Sequence, residues 1–64
     1  MNKKDKIRVL LVEDELTLAM IIKDTLEESD FIINTAIDGE EGLRMFFDTR
    51  PDVLVADVMM PRMD

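Results

Sequence analysis

Three carboxylates are the residues of this chain whose positions suggest chemistry. Glu13 and Asp14 directly follow the apolar run 7–12, and Asp57 directly follows a second apolar run at 53–56. An acid at the end of a buried strand costs free energy unless a partner binds it. The chain contains no His and no Cys, which excludes histidine bases, histidine ligands and thiolates. The three acids themselves can act as oxygen ligands, and a carboxylate can act as a nucleophile.

Each acid also has a simpler interpretation. The Glu13-Asp14 pair can be a helix cap with a solvated neighbour, and Asp57 can be a loop cap. Their equivalent positions after two apolar strands favour a shared metal site instead, because close carboxylates repel one another and a divalent cation removes the conflict. All-oxygen ligation favours magnesium, manganese or calcium over zinc. Asp57 then remains able to form an aspartyl-phosphate.

The elements that must position these acids alternate between strand and helix. Apolar runs predict strands at 7–12, 31–36 and 53–56, and amphipathic patterns predict helices at 15–29 and 40–49. This alternation indicates an α/β fold with parallel strands and right-handed crossovers. If the first and third strands are neighbours, the strand order is 2-1-3 and the two helices cover opposite faces. The acids then meet at the edge where open α/β sheets bind ligands. The second strand contains Asn34 and Thr35 and suits an outer position.

Apolar spacing predicts the inward face of the first helix. Asp14 is its expected N-cap. The inward stripe is expected to consist of four aliphatic residues, continued by two small polar ones: Leu18, Ile21, Ile22 and Leu26, with Thr25 and Ser29. Another face carries Leu16, Ala19 and Met20. That second set is either covered by neighbouring chain or scattered over the surface, or it belongs to a docking surface for a partner helix.

The second helix is expected to follow a turn at Asp38-Gly39 and to pack through three large residues: Leu43, Phe46 and Phe47. Gly42 lies inside this helix, where glycine costs about 1 kcal/mol relative to alanine. The sequence alone offers no reason for that cost.

The composition excludes several classes of function. The 64 residues include 8 basic and 15 acidic side chains, a net charge of −7. This balance argues against non-specific nucleic-acid binding and against docking on an anionic membrane. The apolar runs are too short to span a bilayer, and residues 1–6 read as a solvated lead-in rather than a secretory signal. The absence of cysteine fits a cytoplasmic protein.

Three segments resemble the receiver domain of two-component response regulators. They are Val-Glu-Asp-Glu at 12–15, Ala-Ile-Asp-Gly-Glu-Glu-Gly-Leu at 36–43 and Val-Ala-Asp-Val-Met-Met-Pro-Arg-Met-Asp at 55–64. The resemblance covers essentially the whole chain after Lys6. It implies that Asp57 is the phosphoacceptor for a histidine kinase or a phosphotransfer protein. It also implies a Mg²⁺ ion held by Glu13, Asp14, Asp57 and the backbone carbonyl of Met59.

The resemblance further implies a flavodoxin-like, doubly wound parallel sheet of order 2-1-3-4-5. Residues 1–64 supply only the 2-1-3 part and are expected to be an incomplete receiver domain, truncated after the third strand. The family's Ser or Thr after the fourth strand, its Lys after the fifth and its aromatic switch residue match no position here. We therefore expect an open edge at the third strand, low stability in isolation and little lasting phosphorylation.

The leading interpretation is a signalling receiver, which is not an enzyme in the usual sense. Two other functions remain open. One is a metal-dependent phosphohydrolase with an aspartate nucleophile. Such enzymes usually place a second acid two residues after the nucleophile, where this chain has Met59. The other is a structural or interaction half-domain that self-associates through the third strand, for example as a homodimer.

Overall fold

The five predicted elements are all present in the computed structural model, which describes residues 6–56. They are β1 (Arg8–Val12), α1 (Leu16–Glu28), β2 (Ile32–Ala36), α2 (Gly39–Thr49) and β3 (Val53–Ala56). Each boundary lies within one residue of the prediction. Within the described range, neither helix is long and apolar enough to cross a membrane.

The strands form a parallel sheet in the order β2-β1-β3, as predicted. Because β1 lies between the other two strands, its residues from Val9 to Val12 are at most 4 % exposed. The last pairing in both ladders involves Val12, which lies opposite Ala36 on one side and Ala56 on the other. The described residues thus form the 2-1-3 part of the expected sheet, with β2 at an edge, and no fourth or fifth strand falls between residues 6 and 56.

Side chains that alternate along β1 build one core cluster on each face of the sheet. On one face, Ala19 of α1 packs with three strand residues: Val9, Leu11 and Ile33. On the other face, Met45 of α2 packs against a second set: Leu10, Val12 and Ala36. The two helices therefore cover opposite faces of the sheet, which confirms the doubly wound arrangement.

The predicted inward stripe of α1 was wrong in part. Leu18 and Ile21 are 40 % and 58 % exposed, whereas Ala19, assigned to another face, is only 5 % exposed. Ile22 and Leu26 do pack against the core, so the true stripe is 19, 22 and 26. The prediction chose the larger side chains, but a small residue in this row lets the helix axis approach the sheet. Thr25 and Ser29 are exposed as well.

The predicted anchors of α2 were also wrong. Leu43, Phe46 and Phe47 are 62 %, 41 % and 67 % exposed. The helix instead meets the sheet through Gly42, which is buried, and through Met45. Two of the expected anchors line an apolar groove of about 330 Å³ next to β3: Leu43 and Phe46, with Leu54 opposite.

Candidate functional site

The carboxyl ends of all three strands form one row at the edge of the sheet. Ala36, Val12 and Ala56 are the last paired residues of β2, β1 and β3, in that spatial order. Glu13 follows Val12 directly in the chain, and Asp57 follows Ala56. The structure therefore places the two strand ends that precede these acids side by side. Asp57 and Met59 themselves lie outside the described residues.

Glu13 is the buried charged residue of the described range, with 6 % of its surface exposed. Its N–H donates to the carbonyl of Ala36 at 2.9 Å, which extends the β1–β2 ladder by one residue. Its Oε2 accepts a hydrogen bond from the N–H of Glu15 at 3.2 Å. Both contacts fix the residue relative to the strand ends. A carboxylate offers about four acceptor sites, so one such bond leaves capacity for a further ligand.

Asp14 is exposed and is not the N-cap of α1, which corrects the prediction. The N-cap is Glu15, which has an extended backbone and makes no side-chain capping bond. The helix begins one residue later than expected, since the backbone of Glu15 is still extended, and the N–H of Glu15 donates to the Glu13 carboxylate. The exposed Asp14 carboxylate makes no hydrogen bond or ion pair with any residue from 6 to 56.

The acids that begin α2 lie beyond the same edge of the sheet and have a structural role that the sequence analysis missed. Asp38 is the N-cap, and its Oδ1 accepts from the N–H of Glu41 at 2.8 Å. The Glu41 carboxylate in turn accepts from the N–H of Ile37 at 2.8 Å. An Asp followed three residues later by Glu is the sequence signal of such a reciprocal cap. That signal was present in the segment that the prediction treated only as a turn.

The described donors fit a hard divalent cation. Glu13 and Asp14 offer carboxylate oxygens without nitrogen or sulfur ligands, the set that Mg²⁺ prefers together with water. No group of three or more acidic, His or Cys residues that could hold a metal occurs within residues 6–56. A site with three carboxylates therefore needs an acid from outside this range, for which Asp57 is the predicted residue, and the assignment of all four predicted ligands remains a prediction.

A parallel α/β sheet with acids following adjacent strands defines a class of domain that binds its ligand at the carboxyl edge. Residues 9–64 match the family model described as the response regulator receiver domain. The chain belongs to this family.

Characterised relatives share this segment but carry different names. The chain is 41 % identical over 64 residues to the alkaline phosphatase synthesis transcriptional regulatory protein PhoP of Bacillus subtilis, covering 100 % of this chain and 25 % of the relative. It is 46 % identical over 63 residues to a protein-glutamate methylesterase/protein-glutamine glutaminase of Caldanaerobacter subterraneus, covering 95 % and 17 %. It is 40 % identical over 58 residues to the response regulator MprA of Mycobacterium ulcerans, covering 91 % and 25 %.

The chain thus spans a quarter or less of the length of these relatives. Because their names denote a transcriptional regulatory protein, a response regulator and an enzyme, the similarity identifies the shared receiver segment and not an output activity. No solved structure gives a significant match to the chain.

Proposed function

We propose that this chain is a phosphoacceptor in two-component signalling. In this proposal Asp57 receives a phosphoryl group from a histidine kinase or a phosphotransfer protein. Mg²⁺ is held by Glu13, Asp14 and Asp57 with the carbonyl of Met59. The observation that supports it most strongly is the pairing of Val12 with Ala56, because the nucleophile and the metal-binding acids are then bonded to neighbouring strand ends.

The chain's own residues divide the work in this proposal. A carboxylate oxygen of Asp57 attacks phosphorus, the P–N bond of the phosphohistidine donor breaks, and the imidazole leaves with the bonding electron pair. Glu13 is already held in place by Ala36 and Glu15, so it loses little conformational entropy when it binds a cation. The exposed Asp14 completes the acidic pair. The cation, when bound, neutralises charge on the transferring phosphoryl oxygens.

Electrostatics make the cation necessary. The chain carries a net charge of −7, and the acids that follow β1 face any anionic donor at this edge. Like charges at short range oppose the approach of a phosphoryl group. A divalent cation held by Glu13, Asp14 and Asp57 would offset two of their three negative charges, so transfer should require the metal.

Metal binding tests the proposal through a readout that is separate from phosphoryl transfer. Mn²⁺ stands in for Mg²⁺, and the loss of its free-ion electron paramagnetic resonance signal measures binding. Asp57→Asn and Asp14→Asn should weaken binding by about tenfold or more, at least the loss that accompanies removal of a supporting group. Asp24→Asn, which removes the same charge from an exposed position in α1, should leave it unchanged.

The result that contradicts the proposal is equally clear. If Asp57→Asn binds Mn²⁺ as tightly as the unaltered chain, Asp57 is not part of the site. If Asp24→Asn weakens binding as much as Asp57→Asn does, the effect reflects net charge and not a ligand set.

A second candidate function is favoured by the exposure of β3. Val53, Leu54 and Val55 are 45 %, 54 % and 41 % exposed, and no described element pairs with the outer edge of this strand. An interaction module that pairs through β3 would self-associate with or without Mg²⁺. Self-association of such a module would depend on β3 and not on the acidic residues, and this difference distinguishes it from a phosphoacceptor.

A further inference from the structure

Gly42 of α2 is buried and lies close to Val12, the last residue of the strand that precedes the acidic pair. A Cβ built on this residue would lie 2.9 Å from Cγ2 and 3.5 Å from Cγ1 of Val12. Carbon atoms pack favourably at about 3.5–4.0 Å, so any larger residue here must displace something. The close approach also gives a packing reason for a glycine that costs the helix about 1 kcal/mol.

Val12 has little room to yield. Its side chain is 3 % exposed, and its backbone is paired with Ala36 on one side and Ala56 on the other. The rotation of a β-branched side chain about χ1 is also restricted. An added methyl group at position 42 must therefore move the end of β1, the start of α2, or both.

Either movement would displace Glu13. Val12 at the end of β1 is covalently bonded to Glu13. The start of α2 is connected to β2 through the short segment that follows Ala36, and the carbonyl of Ala36 accepts the N–H of Glu13 at 2.9 Å. The contact between Gly42 and Val12 is thus mechanically connected to the buried acid by two separate paths.

We infer that Gly42 is a positioning residue. Its lack of a side chain lets α2 pack closely against Val12, and this contact fixes the position of the carboxyl end of β1. The position of that strand end in turn orients Glu13 for metal binding. The inference rests on the proposed function. It assigns Gly42 no contact with metal or substrate, and its effect passes through Val12.

Gly42→Ala tests the inference. Outer-shell changes that misplace a ligand weaken metal binding by about tenfold, and we expect a loss of roughly that size for Mn²⁺. In metal-free samples, the backbone amide signals of Glu13 and Glu15 should shift in nuclear magnetic resonance spectra. Phe47→Ala is the matched control, because it places the same good helix former at a position of α2 that is 67 % exposed. It should change neither quantity.

The double variant V12A/G42A identifies the contact itself. The built Cβ of residue 42 lies 3.8 Å from the Cβ of Val12, an ordinary packing distance, so two alanines fit without displacement. The double variant should regain the Mn²⁺ affinity of the unaltered chain, although it loses buried methyl groups and some stability. A glycine that matters only for helix stability would give no such recovery.

Each outcome decides the inference. Unchanged affinity and unchanged Glu13 and Glu15 amide signals in Gly42→Ala would overturn it, as would a double variant that stays weak. If Gly42→Ala does not fold, the double variant decides alone, and binding at the original affinity supports the contact. If the unaltered chain binds no Mn²⁺, the proposed function fails, whereas the metal-free amide signals still test the contact.

Discussion

At the scale of single residues, the two helices begin in different ways. At the start of α2, the Asp38 side chain caps the N–H of Glu41. At the start of α1, the N-cap residue Glu15 makes no side-chain cap. Its own N–H instead holds the carboxylate of Glu13. The first helix therefore contributes a backbone donor to the candidate site, whereas the second is stabilised by its own acids.

Replacing the two N-cap residues should separate these roles. Asp38→Ala removes a capping acceptor and should lower the free energy of unfolding by about 1 kcal/mol. Glu15→Ala removes no capping bond and should stay within about 0.5 kcal/mol. Urea unfolding followed by circular dichroism measures both. Equal losses in the two variants would show that the Asp38 side chain contributes no particular stabilisation.

At the scale of elements, the boundaries could be predicted because they depend on local patterns, whereas the strand order was predicted with the help of the family resemblance. Three short apolar runs separated by helical patterns admit few parallel arrangements. The inward faces of the helices could not be predicted as well, because side-chain size is a poor guide where a helix lies close to a sheet. Ala19 and Gly42 are at the contacts, and larger neighbours such as Ile21 and Phe47 point outward.

The candidate site could be predicted only in part for a related reason. Residue type and position identified Glu13 and Asp14, and the structure places the strand ends that precede the acids side by side. The extended backbone of Glu15 moves the helix start by one residue, and its N–H donates to the Glu13 carboxylate. A sequence pattern cannot show that bond, because it arises when the chain stays extended for one more residue.

The exposed strand β3 is expected to promote self-association of the chain. Edge strands with unpaired backbone groups recruit further strands, and lysine on such an edge prevents it. Leu54→Lys should therefore reduce concentration-dependent self-association of the chain in sedimentation velocity. Leu54 is 54 % exposed, so the change should cost little stability.

Leu16→Lys is the matched control for that change. Leu16 lies in α1 and is 65 % exposed, so the same exchange of leucine for lysine alters charge and hydropathy but not β3. It should leave self-association unchanged. If Leu16→Lys acts as strongly as Leu54→Lys, net charge and not the strand edge governs association.

At the scale of the whole molecule, the chain corresponds to one segment of longer relatives. Its relatives include transcriptional regulators and a methylesterase, and it spans a quarter or less of their length. The part that they share with this chain is the receiver segment. The function that the chain itself can be tested for is therefore acceptance of a phosphoryl group at the carboxyl edge of the sheet.

The most direct measurement traps that phosphoryl group chemically. The chain is incubated with phosphoramidate and Mg²⁺ in the presence of hydroxylamine, which converts even a short-lived aspartyl-phosphate into a stable hydroxamate that peptide mass spectrometry can locate. We predict a hydroxamate at Asp57 that requires both the donor and Mg²⁺ and is absent from Asp57→Asn. No hydroxamate, or one that forms at other carboxylates of Asp57→Asn to the same extent, would contradict the assignment of this chain as a phosphoacceptor.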